Sequence, residues 1–178
     1  AKNNAMSERE NKISDHESRI SRLTSEIDEL ERTISSLNSS VSSYNQRVEA
    51  QNSVVDGIKR DIQKQNSIIS DSSATNEEKI AAISRRTRLN SELTTAQREL
   101  TSRKNELENA QSQLSTAKSE KTKKENEKRN LIVALNSERA ALATAKSQAE
   151  VLKTEYSNAL SNYNSAKKNY DADSATLE

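Results

Sequence analysis

Cysteine, proline, tryptophan and phenylalanine do not occur in this chain, and glycine, methionine and histidine occur once each. Without cysteine no disulfide framework can form, and the redox compartment is not readable. The near absence of proline and glycine removes the two strongest helix breakers. Only four tyrosines supply aromatic area, and hydrophobic residues make up 31% of the chain, against about 45–50% in typical globular chains. A compact core needs large side chains that bury area in bulk, so this chain can bury only a narrow stripe. The longest apolar run is Leu131-Ile132-Val133-Ala134-Leu135, far below the ~20 residues of a membrane span, and no membrane insertion is expected. Charge of one sign is missing too: 28 basic residues balance 27 acidic ones. That balance lacks the basic face of a dedicated nucleic-acid surface, and it departs from the high net charge of disordered chains. Serine and asparagine are abundant and are middling helix formers, so helicity has to come from packing.

A seven-residue repeat is what the chain has instead. With Ile13 at position a, the following a positions are Ile20, Ile27, Ile34, Val41, Val48, Val55, Ile62 and Ile69, all β-branched, with Met6 one heptad earlier. The d positions are His16, Leu23, Leu30, Leu37, Tyr44, Gln51, Ile58 and Gln65. A repeat sustained this long without a stutter predicts a coiled-coil helix. The serine-rich stretch Ser35–Ser43 does not interrupt it, because Ser39, Ser40, Ser42 and Ser43 all fall off the seam.

At Ser70-Asp71-Ser72-Ser73-Ala74 the pattern stops in a cluster of turn formers. Thr75-Asn76-Glu77-Glu78 then reads as a capping box opening a second helix. Leu93, Leu100, Leu107, Leu114, Leu135 and Leu142 share one position of its repeat, continued by Ala149, Tyr156, Tyr163, Tyr170 and Leu177. Ala82, Leu89, Ala96, Ala110, Ala117, Leu131, Ala145, Leu152, Ala159 and Ala166 lie three residues later, and this Leu/Ala alternation suits close antiparallel neighbours. Lys118, Lys121, Lys124 and Lys128 are read onto the seam, with no apolar residue between Ala117 and Leu131.

The expected fold is therefore all-α, a long antiparallel coiled-coil helical hairpin forming one elongated domain over 1–178. Helix 1 covers about 5–70, the turn 71–75, and helix 2 about 76–177, the last roughly 150 Å long at 1.5 Å per residue. With the turn near Ser73, facing residues should have numbers adding to about 147. Leu114 then meets Thr33 and Ile34, whereas Lys121 and Lys124 meet Leu23 to Ile27, a poor match. The alternative is an elongated three-helix bundle with a second turn near Ser119–Glu125, where Thr122-x-x-Glu125 offers another capping box. Its third helix would carry Tyr156 and Tyr163 back to the first turn. Val54, Ile68, Ile80 and Ile83 widen the stripe near the first turn, as in bundles of three or more helices.

No constellation for catalysis or cofactor binding stands out. His16 is a polar seam residue, and a first-row metal site needs more ligands than one histidine. The carboxylates are spread along solvated helix faces, whereas acid–base pairs need a cleft. Arg85-Arg86-Thr87-Arg88 and Lys118–Arg129 are read as solvated faces without aromatic residues for base stacking. Gly57 stands alone, so no phosphate-cradling loop exists. Asp171-Ala172-Asp173 lacks the glycine and terminal glutamate of an EF-hand, and Asn38-Ser39-Ser40 is a glycosylation sequon that has meaning only in a secreted protein.

The function expected by elimination is that of a non-enzymatic structural or assembly protein, a helical rod, spacer or filament or matrix subunit. The candidate interaction seam is Ile20, Leu23, Ile27, Leu30, Ile34, Leu37, Tyr156, Tyr163 and Tyr170, with a homo-oligomer, a dimer foremost, or other helical proteins as partners. Cofactors, nucleic acid and small-molecule substrates are not expected. The sequence opens on Ala1 rather than Met, as a processed precursor or a trimmed segment would, and the expected setting leans to secreted or extracytoplasmic. The segment Leu152-x3-Tyr156-x2-Ala159-x3-Tyr163-x2-Ala166-x3-Tyr170 resembles the Ala/Tyr-spaced helices of bacterial adaptor hairpins and secreted translocators over about a tenth of the chain. That resemblance implies the second expectation, a helix-docking coiled-coil module of a bacterial secretion or export system. Mature helical matrix proteins of protist secretory granules are similar in size and in lacking a starting Met.

Overall fold

The computed structural model describes residues 2–176. Two helices account for nearly all of them: α1, Lys2–Ser70, and α2, Asn76–Thr176. The fold is an all-α helical hairpin, and among the described residues there is no strand. Leu177 lies outside the described residues, as does Ala1.

Local chemistry sets the helix ends. Asp71 accepts two hydrogen bonds on Oδ1, from the Ser73 amide at 2.8 Å and from the Ser73 hydroxyl at 2.7 Å. These two bonds, the hydroxyl one foremost, hold the Asp71 carboxyl below its ordinary value of 3.8. The capping box read from the sequence closes in both directions. Glu78 Oε2 accepts from the Thr75 amide at 2.8 Å, and Thr75 Oγ1 accepts from the Glu78 amide at 3.2 Å. Glu77 and Glu78 also place negative charge in the first turn of α2, where the helix dipole favours it.

Inside the helices, serine hydroxyl groups bond back to the carbonyls of their own helix. Ser39, Ser40, Ser53 and Ser67 each donate to the carbonyl four residues earlier, at 3.0–3.2 Å. This back-bonding lets serine sit mid-helix at small cost, and Ser35–Ser43 is helical throughout.

By internal packing the chain divides into unit 1, Ala1–Glu26 with Lys124–Glu178, and unit 2, Ile27–Lys123. In unit 2 the helices run antiparallel from the 71–75 turn. Val55, Ala82, Ala96, Ala110, Ala117 and Ile27 are buried there. Every a position from Ile27 to Ile69 and every d position from Leu30 to Gln65 is buried or half-buried. The numbers of facing partners add to 147 for Gln51 with Ala96 and to 152 for Asn66 with Arg86, close to the expected 147. The small alanine side chains leave room for close approach of the two backbones.

In unit 1 the first part of α1 lies antiparallel to the second half of α2, with Leu23, Leu131 and Leu135 buried between them. Ion pairs flank this core: Arg9 with Glu138 at 2.8 Å, Glu10 with Lys146 at 3.3 Å, Glu17 with Arg139 at 2.5 Å, Arg19 with Glu127 at 3.1 Å and Glu26 with Lys124 at 2.7 Å. Arg9–Glu138 and Glu26–Lys124 are half-buried; the other three are exposed, and exposed pairs contribute about 0–1 kcal/mol each, so those three mark the register more than they hold the fold.

The second turn considered for Ser119–Glu125 is not made, and α2 passes through Lys118–Arg129 as unbroken helix. The Thr122 hydroxyl donates to the Lys118 carbonyl at 3.1 Å instead of capping a new helix. The lysines are accommodated by reaching sideways. In unit 2 Lys121 pairs with Glu31 at 2.9 Å, and in unit 1 Lys124 pairs with Glu26. A lysine stem can lie along apolar surface while its ammonium stays in water, and Leu23 and Ile27 are buried despite the lysines expected opposite them. Lys118 itself is exposed and does not belong to the seam.

Candidate interaction surface

The last part of α2 differs from the rest of the chain. From Val151 to Thr176 every described residue is exposed, whereas Ala141, Leu142, Ala145 and Ala149 are still half-buried. Ala5, Met6 and Arg9 of α1 line a hollow with Ala145, Gln148 and Ala149, so within unit 1 the pairing of the two helices ends at that level.

Leu152, Tyr156, Ala159, Tyr163, Ala166 and Tyr170 continue the same spacing beyond it. Intervals of alternating four and three residues place them on one helix face, along about 27 Å from first to last at 1.5 Å per residue. Tyr156, Tyr163 and Tyr170 are 70%, 64% and 71% exposed, and Leu152 44%. Leu160, 45% exposed, was missed by sequence reasoning because it stands one position off the seam. Its signal is its distance of four residues from Tyr156 and three from Tyr163, which puts it beside both on the helix surface. No aromatic ring has been spent on a core here; three of the four in the chain face solvent.

The remaining seam candidates sit differently. Leu23 and Ile27 are buried, and Ile20, Leu30, Ile34 and Leu37 are half-buried against α2. Their apolar faces are largely used within the chain. Of the residues that widen the stripe near the turn, Val54, Ile80 and Ile83 are exposed and Ile68 is half-buried; Ile132 and Val133 of unit 1 are exposed as well.

Polar candidates resolve into helix-surface chemistry. Arg86 donates to Asn66 Oδ1 at 3.1 Å and Arg88 pairs with Glu92 at 3.7 Å. Within Lys118–Arg129, Lys121 and Lys124 are paired as described above and Arg129 donates to Asn126 at 3.3 Å. His16 is half-buried with Nδ1 enclosed and without a hydrogen-bond partner. The hollow beside the turn is lined by Gln65, Ile68, Asp71, Ser73, Ala82 and Arg85 and is wide open to solvent. Among the described residues no group of three or more His, Cys, Asp or Glu side chains could hold a metal ion, and no helix is long and apolar enough to cross a membrane. Comparison with protein-family models, with curated proteins and with solved structures found no match to this chain.

Proposed function

We propose that this chain is a non-enzymatic structural or assembly protein, a coiled-coil subunit whose helices are themselves the working part and which joins other helices through the end of α2. The observation that carries this reading is the solvent-facing row of Leu152, Tyr156, Tyr163 and Tyr170 on a helix that is otherwise paired. An isolated helix is marginal in water and draws its stability from packing an apolar face, so a continued apolar stripe with nothing against it is a surface for another helix. Large exposed aromatic residues in line mark interaction sites far more than scattered ones do. Self-association into a dimer is the favoured outcome, since closed two-fold pairs are the commonest oligomers. A helix-docking module of a secretion or export system would use the same stripe on a different helix.

Sedimentation equilibrium at micromolar concentration tests the reading. The expected result is an oligomer of the 19.8 kDa chain, or a complex with another helical protein, that Tyr163→Asp dissociates while the helical circular dichroism persists. A monomer that binds no other helix ends it.

A further inference from the structure

We infer that the occupant of the Leu152–Tyr170 face is the same face of a second copy of this chain, docked antiparallel about a two-fold axis near Ser161. The inference rests on the assembly reading above and adds the partner and its direction.

The argument is one of side-chain size. Along the stripe, large and small residues alternate: Leu152, Tyr156, Ala159, Tyr163, Ala166, Tyr170. In a parallel, in-register pair each residue meets its own twin. Tyrosine layers would then push the helices apart while the alanine layers between them require close approach, and helix separation is set by the side chains at the contact, within about 8–10 Å. An antiparallel pair with its axis near Ser161 removes the conflict. Tyr163 faces Ala159 of the second copy, Tyr156 faces Ala166, and Tyr170 faces Leu152, each pair occurring twice. Every layer then holds one tyrosine and one smaller residue, and the helix separation is uniform. Leu160 falls beside Leu160 of the second copy, which gives the off-seam leucine a partner. The six layers stop at Leu152; past Tyr170, residues 171–176 of the second copy reach the levels of 151 to 146, where Ala5 and Met6 of α1 already flank Ala149, so this last stretch runs beside α1 rather than on the stripe.

The area reaches the minimum for a small dimer interface only with the stripe fully covered. A tyrosine buries about 150–250 Å² when fully covered, and Tyr156, Tyr163 and Tyr170 retain 70%, 64% and 71% of their exposure. Three from each copy therefore supply roughly 800 Å². With Leu152 and Leu160 the sum is at most about 1,100 Å² when all of these side chains are fully covered, at the ~1,000 Å² lower bound for a specific interface. Charge is the weaker element: Lys153 comes beside Lys167 of the second copy at two symmetric places, while the other flank places Glu155 beside Asn169. Both lysines are exposed, and solvent and salt screen the repulsion.

Because the chain has no cysteine, one introduced thiol reports the geometry. A spin label on Ser174→Cys should lie about 40 Å from its twin in the antiparallel dimer, from 26 residues of axial offset at 1.5 Å each. In a parallel dimer the labels would lie under about 20 Å apart. A second variant reads the flank: Lys167→Glu replaces two like-charged pairs by Lys153–Glu pairs and should tighten the dimer about tenfold. In a parallel pair residue 167 meets Asn162, so no such gain would appear. A dimer with short label distances, or one indifferent to both Tyr163→Asp and Lys167→Glu, overturns this inference and leaves the assembly reading standing. A chain that stays monomeric and binds no helix overturns both.

Discussion

Gln51 shows most directly how a single side chain can set a helical pair. It occupies a d position where Leu23, Leu30 and Leu37 stand earlier in the repeat, it is 4% exposed, and its Nε2 donates to the Ala96 carbonyl at 3.0 Å. A buried amide is tolerated when its donors are met, and this one spans the two helices. The bond marks a register: sliding α2 by a residue would leave the amide enclosed without its acceptor, at about 1–3 kcal/mol. Its net contribution to stability is smaller, because the Ala96 carbonyl already serves the helix ladder. Gln51→Leu should therefore leave the free energy of unfolding unchanged or raise it by about 1 kcal/mol, measured by urea denaturation. A loss of more than about 1 kcal/mol would show the amide to be a main source of stability rather than a register mark.

At the scale of the element, both helices owe their length to what interrupts them so rarely. The one glycine, Gly57, lies inside α1 without a positive φ, and a Cβ placed on it meets nothing within 4 Å. It therefore carries the conformational cost of glycine with no packing or turn reason for it. Gly57→Ala should stabilise the chain by about 0.5–1 kcal/mol, read as a higher urea midpoint at unchanged slope; a loss of stability would mean that the open space is filled in solution. In α2 the decisive stretch is Lys118–Arg129. The helix runs on there without apolar residues, with Thr122 on the Lys118 carbonyl, Lys121 on Glu31 and Lys124 on Glu26. The Thr122-x-x-Glu125 pattern matched a capping box as letters, and it opens no helix because nothing upstream of it ends one.

For the whole molecule, the proposed assembly ties stability to concentration. A partner that binds only the folded chain adds stability by mass action, so the melting temperature followed by circular dichroism should climb as protein concentration rises from low to high micromolar. For the Tyr163→Asp variant it should stay flat, and a flat profile for the unaltered chain would mean that its helices gain nothing from association. The uncommitted apolar surface in question, Leu152 to Tyr170, belongs entirely to unit 1, so its melting is best followed there, for example by tyrosine absorbance, since Tyr156, Tyr163 and Tyr170 report on it.

What the sequence by itself determined is the secondary structure, the turn and the faces. Ile13 to Ile69 spaced by seven, the breakers confined to Ser70–Ala74 and the reciprocal Thr75–Glu78 cap are local features, and local features are decided by neighbours within a few residues. The antiparallel facing near 147 followed from the shortness of the 71–75 link, which leaves two adjacent helices no other direction. Only the tertiary structure decided between two helices and three, because the partners that Lys121 and Lys124 meet, Glu31 and Glu26, lie about ninety or more residues away in the chain. It also separated the seam residues whose faces are already used from those left open. Ile27 and Tyr163 occupy equivalent positions in their repeats, and a repeat records which face a residue is on. Whether another helix lies against that face is a matter of where its partner ends, and Ile27 is covered while Tyr163 is not.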